Sequence, residues 1–139
     1  MRNTVEVKRS VLMSVENPGR YVGGEKNQII REDVIRELDE KGTCSAVRTA
    51  FCFPDVYEIG MSHLGSRILY HVLNDMEGVS CERCFAPWTD MEQALQEAGE
   101  ELFTLESRRP LKSFDIVGFS LLYEMCYSNV LTMLELSHI

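Results

Sequence analysis

The stretch from Thr49 to Leu73, TAFCFPDVYEIGMSHLGSRILYHVL, constrains the fold more than any other part of the chain, because it reads as strand, loop and helix in direct succession. Ala46 to Phe53 is an almost unbroken apolar run, as expected of a strand covered on both faces, and Pro54-Asp55 ends it. Beyond the loop, Leu64, Gly65, Ile68, Leu69, Val72 and Leu73 recur at helical spacing, which predicts one stripe packed back on a sheet. The intervening loop, Asp55 to Leu64, would then lie at the carboxyl end of a parallel strand. Open α/β sheets take their ligands there.

The rest of the chain extends this pattern. Val5 to Val15 reads as a short helix, Glu16 to Asn27 as a loop punctuated by glycine and proline, and Ile29 to Leu38 as a helix that Gly42 can close. After the first helix, Gly78 to Phe85 predicts a second strand. Thr89 and Glu92 have capping-box spacing, and Trp88, Met91, Leu95 and Ala98 line a helical face that Gly99 terminates. Glu101 to Leu105 reads as a short third strand, Phe114 to Leu122 as a clear strand, and Tyr127 to Leu136 as a final helix. Right-handed crossovers would place helices on both faces of a largely parallel sheet. The expected fold is a Rossmann-like or flavodoxin-like three-layer α/β domain spanning 46–139, with 1–45 as an extension wrapped on it.

Composition narrows the class. A 139-residue chain with 45% hydrophobic residues can bury one ordinary core. It has no apolar run long enough to span a bilayer, and MRNTVEVKRS lacks the apolar segment of a signal peptide. Five cysteines in no disulfide-framework pattern read as reduced thiols, which points to a cytoplasmic setting. The net charge of −8 argues against this segment gripping a nucleic-acid backbone. The acidic residues of Glu32–Glu40 and Glu92–Glu106 read largely as solvated helix faces.

Five blocks also carry a resemblance: NPGRYVGGEKNQI from Asn17, FPDVYEIGMSHLG from Phe53, FAPWTDMEQAL from Phe85, LFTLESRRPL from Leu102 and FDIVGFSLLYEMCYSNVLTMLEL from Phe114. In this order they resemble the N-terminal region of a family of radical S-adenosylmethionine proteins, a region similar to a cobalamin-binding domain that precedes the radical barrel. The resemblance implies a parent that is a radical enzyme with a 4Fe-4S cluster and S-adenosylmethionine. Three thiolates spaced Cys-x3-Cys-x2-Cys would hold such a cluster. Cys44, Cys52, Cys81, Cys84 and Cys126 do not have that spacing, so the chain is expected to be an N-terminal fragment without catalytic activity of its own. Its expected partner is the C-terminal barrel, and a sheet cut short would leave an edge open to self-association.

If the strands at 46–53 and 114–122 are neighbours, the loops Asp55–Leu64 and Ser120–Ser128 flank one crevice. The resemblance implies that cobalamin would enter there. Gly60 and Gly65 would admit the flat macrocycle or serve only as tight turns, and Ser62 and Ser120 offer hydroxyls to its amides. His63 is a candidate cobalt ligand, but the usual Asp-x-His-x-x-Gly pattern is broken by Met61 and by the early Gly65, so a helix-start or loop hydrogen bond is the favoured role. Asp55, Tyr57 and Glu58 at the strand exit, and Tyr123, Glu124 and Tyr127 across from them, would touch a ligand or face the barrel. The alternative is a degenerate module that binds no corrin and serves as a docking domain. Cys81-x-x-Cys84 has half of a zinc pattern without a second ligand pair.

Overall fold

The computed structural model describes residues 9–41 and 46–139. Its centre is a three-stranded, all-parallel sheet of β1 (Val47–Phe53), β2 (Val79–Phe85) and β3 (Ile116–Phe119), ordered β2-β1-β3. β1 pairs along its whole length with β2, from Val47 opposite Val79 to Phe53 opposite Phe85, and with β3 from Thr49 opposite Ile116 to Cys52 opposite Phe119. Because paired residues share a face, Thr49, Phe51, Cys81, Arg83, Ile116 and Gly118 line one side, while Ala50, Cys52, Cys84, Val117 and Phe119 line the other.

Helix α4 (Leu64–Asp75) covers the first face, where Phe51, Tyr70 and Cys81 form a small buried cluster. The second face carries the main core, built from α1 (Arg9–Met13), α5 (Thr89–Ala98) and α6 (Tyr127–Leu136) through Val11, Leu12, Met91, Leu95, Met133 and Leu136. This is the expected three-layer, Rossmann-like or flavodoxin-like α/β fold with helices on both sides. The N-terminal segment is part of the core through Val11, Leu12 and Val15, and α2 (Glu32–Lys41) leads into β1.

Several boundaries move. The predicted helix 5–15 is described from Arg9, with 5–8 outside the described residues, as is Gly42. The helix expected over Ile29–Leu38 starts three residues later. The loop Asp55–Leu64 contains a short helix, α3 (Tyr57–Ser62). The strand expected over 101–105 is a single antiparallel bridge between Phe103 and Pro110, and the last strand keeps only four residues. The Thr89/Glu92 capping box does not form: Trp88 is the N-cap residue, and the Glu92 amide donates to its carbonyl at 2.9 Å. Gly99 does end α5, at φ +64, with the amide of Glu100 returning to Leu95.

The largest correction concerns α4. The apolar stripe Leu64, Ile68, Leu69 and Val72 faces outward, while Ser66, Tyr70 and Asn74 are buried against the sheet. Hydrogen bonding explains the inversion. Asn74 Nδ2 donates to the carbonyl of Cys81 at 3.1 Å, and the Cys81 amide donates to Asn74 Oδ1 at 3.0 Å, so one side chain satisfies both backbone groups on the outer edge of β2. Tyr70 OH accepts from the Ile29 amide at 2.8 Å and donates to the Ile29 carbonyl at 3.2 Å. The next residue pair of the same edge is also filled: the Arg83 amide donates to Glu106 Oε2 at 2.6 Å, and the Leu105 amide donates to the Arg83 carbonyl at 2.7 Å. β3, by contrast, has β1 as its one strand partner among the described residues.

Asn74→Leu therefore removes the partners of two buried backbone groups, and it should lower stability by about 2–4 kcal/mol in urea unfolding. Hydrogen exchange should accelerate at the Cys81 amide ahead of the rest of β2. A variant as stable as the parent would show that α4 does not hold this edge.

Candidate functional site at the carboxyl edge of the sheet

β1 ends at Phe53, and Pro54 and Asp55 turn the chain outward. Asp55 holds its own turn, accepting from the Val56 amide through Oδ1 at 2.8 Å, and its Oδ2 accepts from Tyr123 OH at 2.7 Å. That bond crosses from the end of β1 to the connection after β3, and the carboxylate raises the Tyr123 hydroxyl above its ordinary pKa. Asn129 of α6 adds a second tie, donating to the Pro54 carbonyl at 2.9 Å. The loops after β1 and β3 thus do flank one crevice, lined by Phe53, Pro54, Asp55, Ser120, Leu122, Tyr123 and Cys126, but it is closed by side chains. Ser120 is fixed through its amide, which donates to the Cys52 carbonyl at 3.0 Å, and exposed Glu124 opens a 3-10 turn that ends at buried Cys126.

On the other side of β1, α3 meets the N-terminal segment. Tyr57 OH donates to Glu25, and burial together with that carboxylate pushes the phenol up to about 12. Glu58 pairs with Arg20 at 2.6 Å, which lowers the carboxyl; both side chains reach solvent, so the pair adds little stability. The Arg20 guanidinium also lies 5.5 Å from the Trp88 ring centre, and the Trp88 amide donates to Tyr21 OH at 3.0 Å. Gly23, at φ +68, lies against the Leu105 carbonyl so closely that a Cβ would overlap it. A strap of residues 17–28 therefore closes over the carboxyl ends of β1 and β2.

The glycines and His63 have packing roles here. Gly60 is buried, and a Cβ there would overlap the Phe85 ring and lie 3.1 Å from Phe53. Ser62 donates to the Ile59 carbonyl at 2.9 Å within its own helix. His63 is the N-cap of α4: its Nδ1 accepts from the Ser66 amide at 3.0 Å, with Ser66 Oγ at 2.8 Å, and its ring lies 5.3 Å from that of Phe53. A backbone amide only donates, so Nδ1 carries the lone pair and the neutral ring has its hydrogen on Nε2. As arranged, this imidazole does not fit the role of a cobalt ligand. Gly65 lies under the His63 ring, 2.9 Å from where its own Cβ would be.

Beneath the strap and α3 is a buried polar node that sequence reasoning missed. Arg83 points from β2 into the α4 side, with Nε 2.7 Å from Glu106 Oε1 and its guanidinium 4.3 Å from the centre of the Tyr70 ring. Nη1 reaches Asn27 Oδ1 and Met61 Sδ, each at 3.4 Å, while Nη2 has no hydrogen-bond partner among the described residues. Glu82, on the opposite face, accepts from Thr104 Oγ1 at 2.5 Å and from Ser107 Oγ at 2.6 Å. Glu106 is thus no solvated helix residue: its side chain is 2% exposed, and burial raises its carboxyl above the usual range against the opposing pull of Arg83. The signal was present in sequence as Glu82-Arg83, two charges inside an otherwise apolar strand.

The arrangement suits binding rather than acid–base or thiol chemistry. Cys52, Cys81, Cys84 and Cys126 are buried, and burial pushes the Cys81 thiol up to about 12. Cys81 and Cys84 point to opposite faces of β2, and no cluster of metal-binding side chains occurs among the described residues. What the carboxyl edge does offer is apolar surface. Ile59, Leu64, Leu121, Leu122, Met125 and Tyr127 are all exposed along it, Met125 to 83%.

A family described as "Radical SAM proteins, N-terminal" matches residues 65–139, more than half of the chain. The chain belongs to that family. The matched part of this radical SAM N-terminal domain runs from α4 to the end of α6 and includes the β3–α6 side of the rim. No curated protein and no solved structure matched the chain. No helix among the described residues is long and apolar enough to cross a membrane.

Two predictions separate packing from ligand contact. Gly60→Ala should cost about 1–3 kcal/mol in urea unfolding, because the new Cβ would overlap the Phe85 ring and press on that of Phe53, whereas Gly65→Ala asks only the His63 ring to shift and should cost less. Equal, negligible effects would place both glycines in open space. For Glu106, a folded-state pKa raised above the unfolded value means that the native state binds more protons in the interval between them. Its contribution to stability is full below the unfolded pKa and is lost as pH rises through the folded value. Glu106→Gln should flatten the decline in stability above pH about 4.5, measured as urea midpoints across pH 4–8; an unchanged slope would show that the decline comes from other groups.

Proposed function

We propose that this domain is the N-terminal accessory module of a radical S-adenosylmethionine enzyme, and that its carboxyl rim holds cobalamin with no protein ligand on the cobalt. Family membership supports the first part. The observation that supports the second is the rim itself: exposed Leu121, Leu122 and Met125 form an apolar ledge at the ligand-binding end of a parallel sheet. His63 is committed to capping α4, so the ring would be held by surface contact rather than through imidazole. Cobalamin, when bound, would supply a cobalt centre that can carry a methyl group or an electron toward a substrate in an adjoining domain.

The chain's own residues would act by positioning. Leu121, Leu122 and Met125 would exclude water from one face of the ring, and the hydroxyls of Tyr123 and Ser120 lie beside them to meet polar substituents. The Tyr123–Asp55 bond would have to open for any group to enter between β1 and β3. That same bond favours the second reading, in which the crevice stays closed and the rim docks the enzyme's catalytic barrel without a corrin. On either reading the 4Fe-4S cluster and S-adenosylmethionine belong to another part of the enzyme, since no three cysteines here have the required spacing.

Titration with hydroxocobalamin, followed by visible absorption, distinguishes the readings. Saturable one-to-one binding is expected. His63→Ala should leave it unchanged, and Leu122→Asp or Met125→Asp should weaken it about tenfold or more. Electron paramagnetic resonance of the reduced complex should show no coupling to a protein nitrogen. No binding by the unmodified chain would leave barrel docking as the account of the rim.

A further inference from the structure

We propose that the cavity between the end of α5 and the Phe103–Pro110 bridge binds a small monocarboxylate with an apolar body, and that Arg108 receives its carboxylate. The cavity has a volume of about 230 Å³, several times the roughly 30 Å³ share of one water molecule in the liquid. It lies away from the carboxyl rim. α5 starts at Thr89, just beyond the end of β2, and runs for 10 residues, roughly 15 Å, before Gly99 closes it at the cavity wall. Phe103 and Pro110 supply apolar lining, and Glu100, Glu101, Arg108 and Lys112 supply the charges.

Arg108 is set up for this role by its backbone. Its φ is +55, in the left-handed region where a side chain is strained and glycine is not. The strain persists because buried charges fix the residues beside it. Glu106 is paired with Arg83, and Ser107 donates to Glu82 Oε2 through its amide at 3.2 Å and its hydroxyl at 2.6 Å. The Arg109 carbonyl accepts from the Thr104 amide at 2.9 Å. Strain maintained by its surroundings in this way clusters at ligand clamps. Arg108 has no hydrogen-bond or ion-pair partner among the described residues, whereas Lys112 is bonded to Glu101, whose same oxygen lies 3.2 Å from His138 Nδ1. Arg108 and Lys112 balance Glu100 and Glu101, so the lining tolerates one added negative charge on the uncommitted guanidinium, while a phosphate dianion would be opposed by both glutamates. A planar carboxylate matches the parallel N–H groups of a guanidinium, and the Phe103–Pro110 surface takes the apolar remainder.

Titration of the isotope-labelled chain with benzoate, followed by amide chemical shifts at neutral pH, tests this. For a ligand of roughly nine non-hydrogen atoms the dissociation constant should be about 1 mM. Saturable shifts should centre on Glu101, Phe103, Arg108 and Lys112. Arg108→Gly should raise the dissociation constant at least tenfold without lowering the urea midpoint, because glycine relieves the left-handed backbone. Benzamide, neutral and of the same shape, and inorganic phosphate should each bind at least tenfold more weakly than benzoate. Shifts that do not saturate or that lie elsewhere, unchanged affinity in Arg108→Gly, a urea midpoint lowered by that substitution, or equal binding of benzamide or phosphate would each overturn the proposal.

Discussion

The guanidinium of Arg83 is the group on which the rest of the structure depends. It is a cation placed in an apolar layer, and it is tolerable there because Glu106, the Tyr70 ring, Asn27 and Met61 surround it. Those partners come from four separate segments: the N-terminal strap, α3, α4 and the loop before β3. Removing any one leaves a buried charge short of compensation, so the node ties the segments to β2 more selectively than apolar contact would. The extension is thereby an integral part of the domain.

The same node explains why the carboxyl edge has two unlike halves. Over β2 and α3, the strap is pinned by Arg20–Glu58, Tyr57–Glu25 and Tyr21–Trp88, and a ligand finds that half covered. Over β3, the exposed Tyr123–Asp55 hydrogen bond and that of Asn129 to the Pro54 carbonyl do the closing, and Leu121, Leu122 and Met125 nearby are apolar and exposed. The exposed apolar surface of this edge is therefore concentrated on the β3 side.

Much of this fold was legible because apolar runs and punctuation are local signals. The strand to Phe53, the strand to Phe85, the stop at Gly99 and the helix Tyr127–Leu136 all depend on residues adjacent in sequence. α4 was misjudged for the opposite reason. Hydropathy ranks Leu64, Ile68 and Val72 above Tyr70 and Asn74, yet the latter pair is buried because the backbone of Ile29 offers partners to Tyr70 and the β2 edge offers them to Asn74, which no local pattern reveals. The candidate site divides in the same way. For His63 a helix-start or loop hydrogen bond could be read from its neighbours, and the first of these is what forms, whereas Arg20, Glu25 and Trp88 join the site through contacts across 30 or more positions.

The two ways in which β2 is sealed differ in when they become available. Asn74 precedes Cys81 by seven residues, so that part of the edge can close as soon as β1, α4 and β2 exist. The part at Arg83 waits for Glu106, 23 residues further on. During synthesis, then, a β1–α4–β2 unit would already carry its own shield against another nascent chain at the amino half of the strand, while its carboxyl half stays open until the later loop arrives. A side-chain amide that mimics a peptide group thus acts as a local chaperone for the strand it will flank.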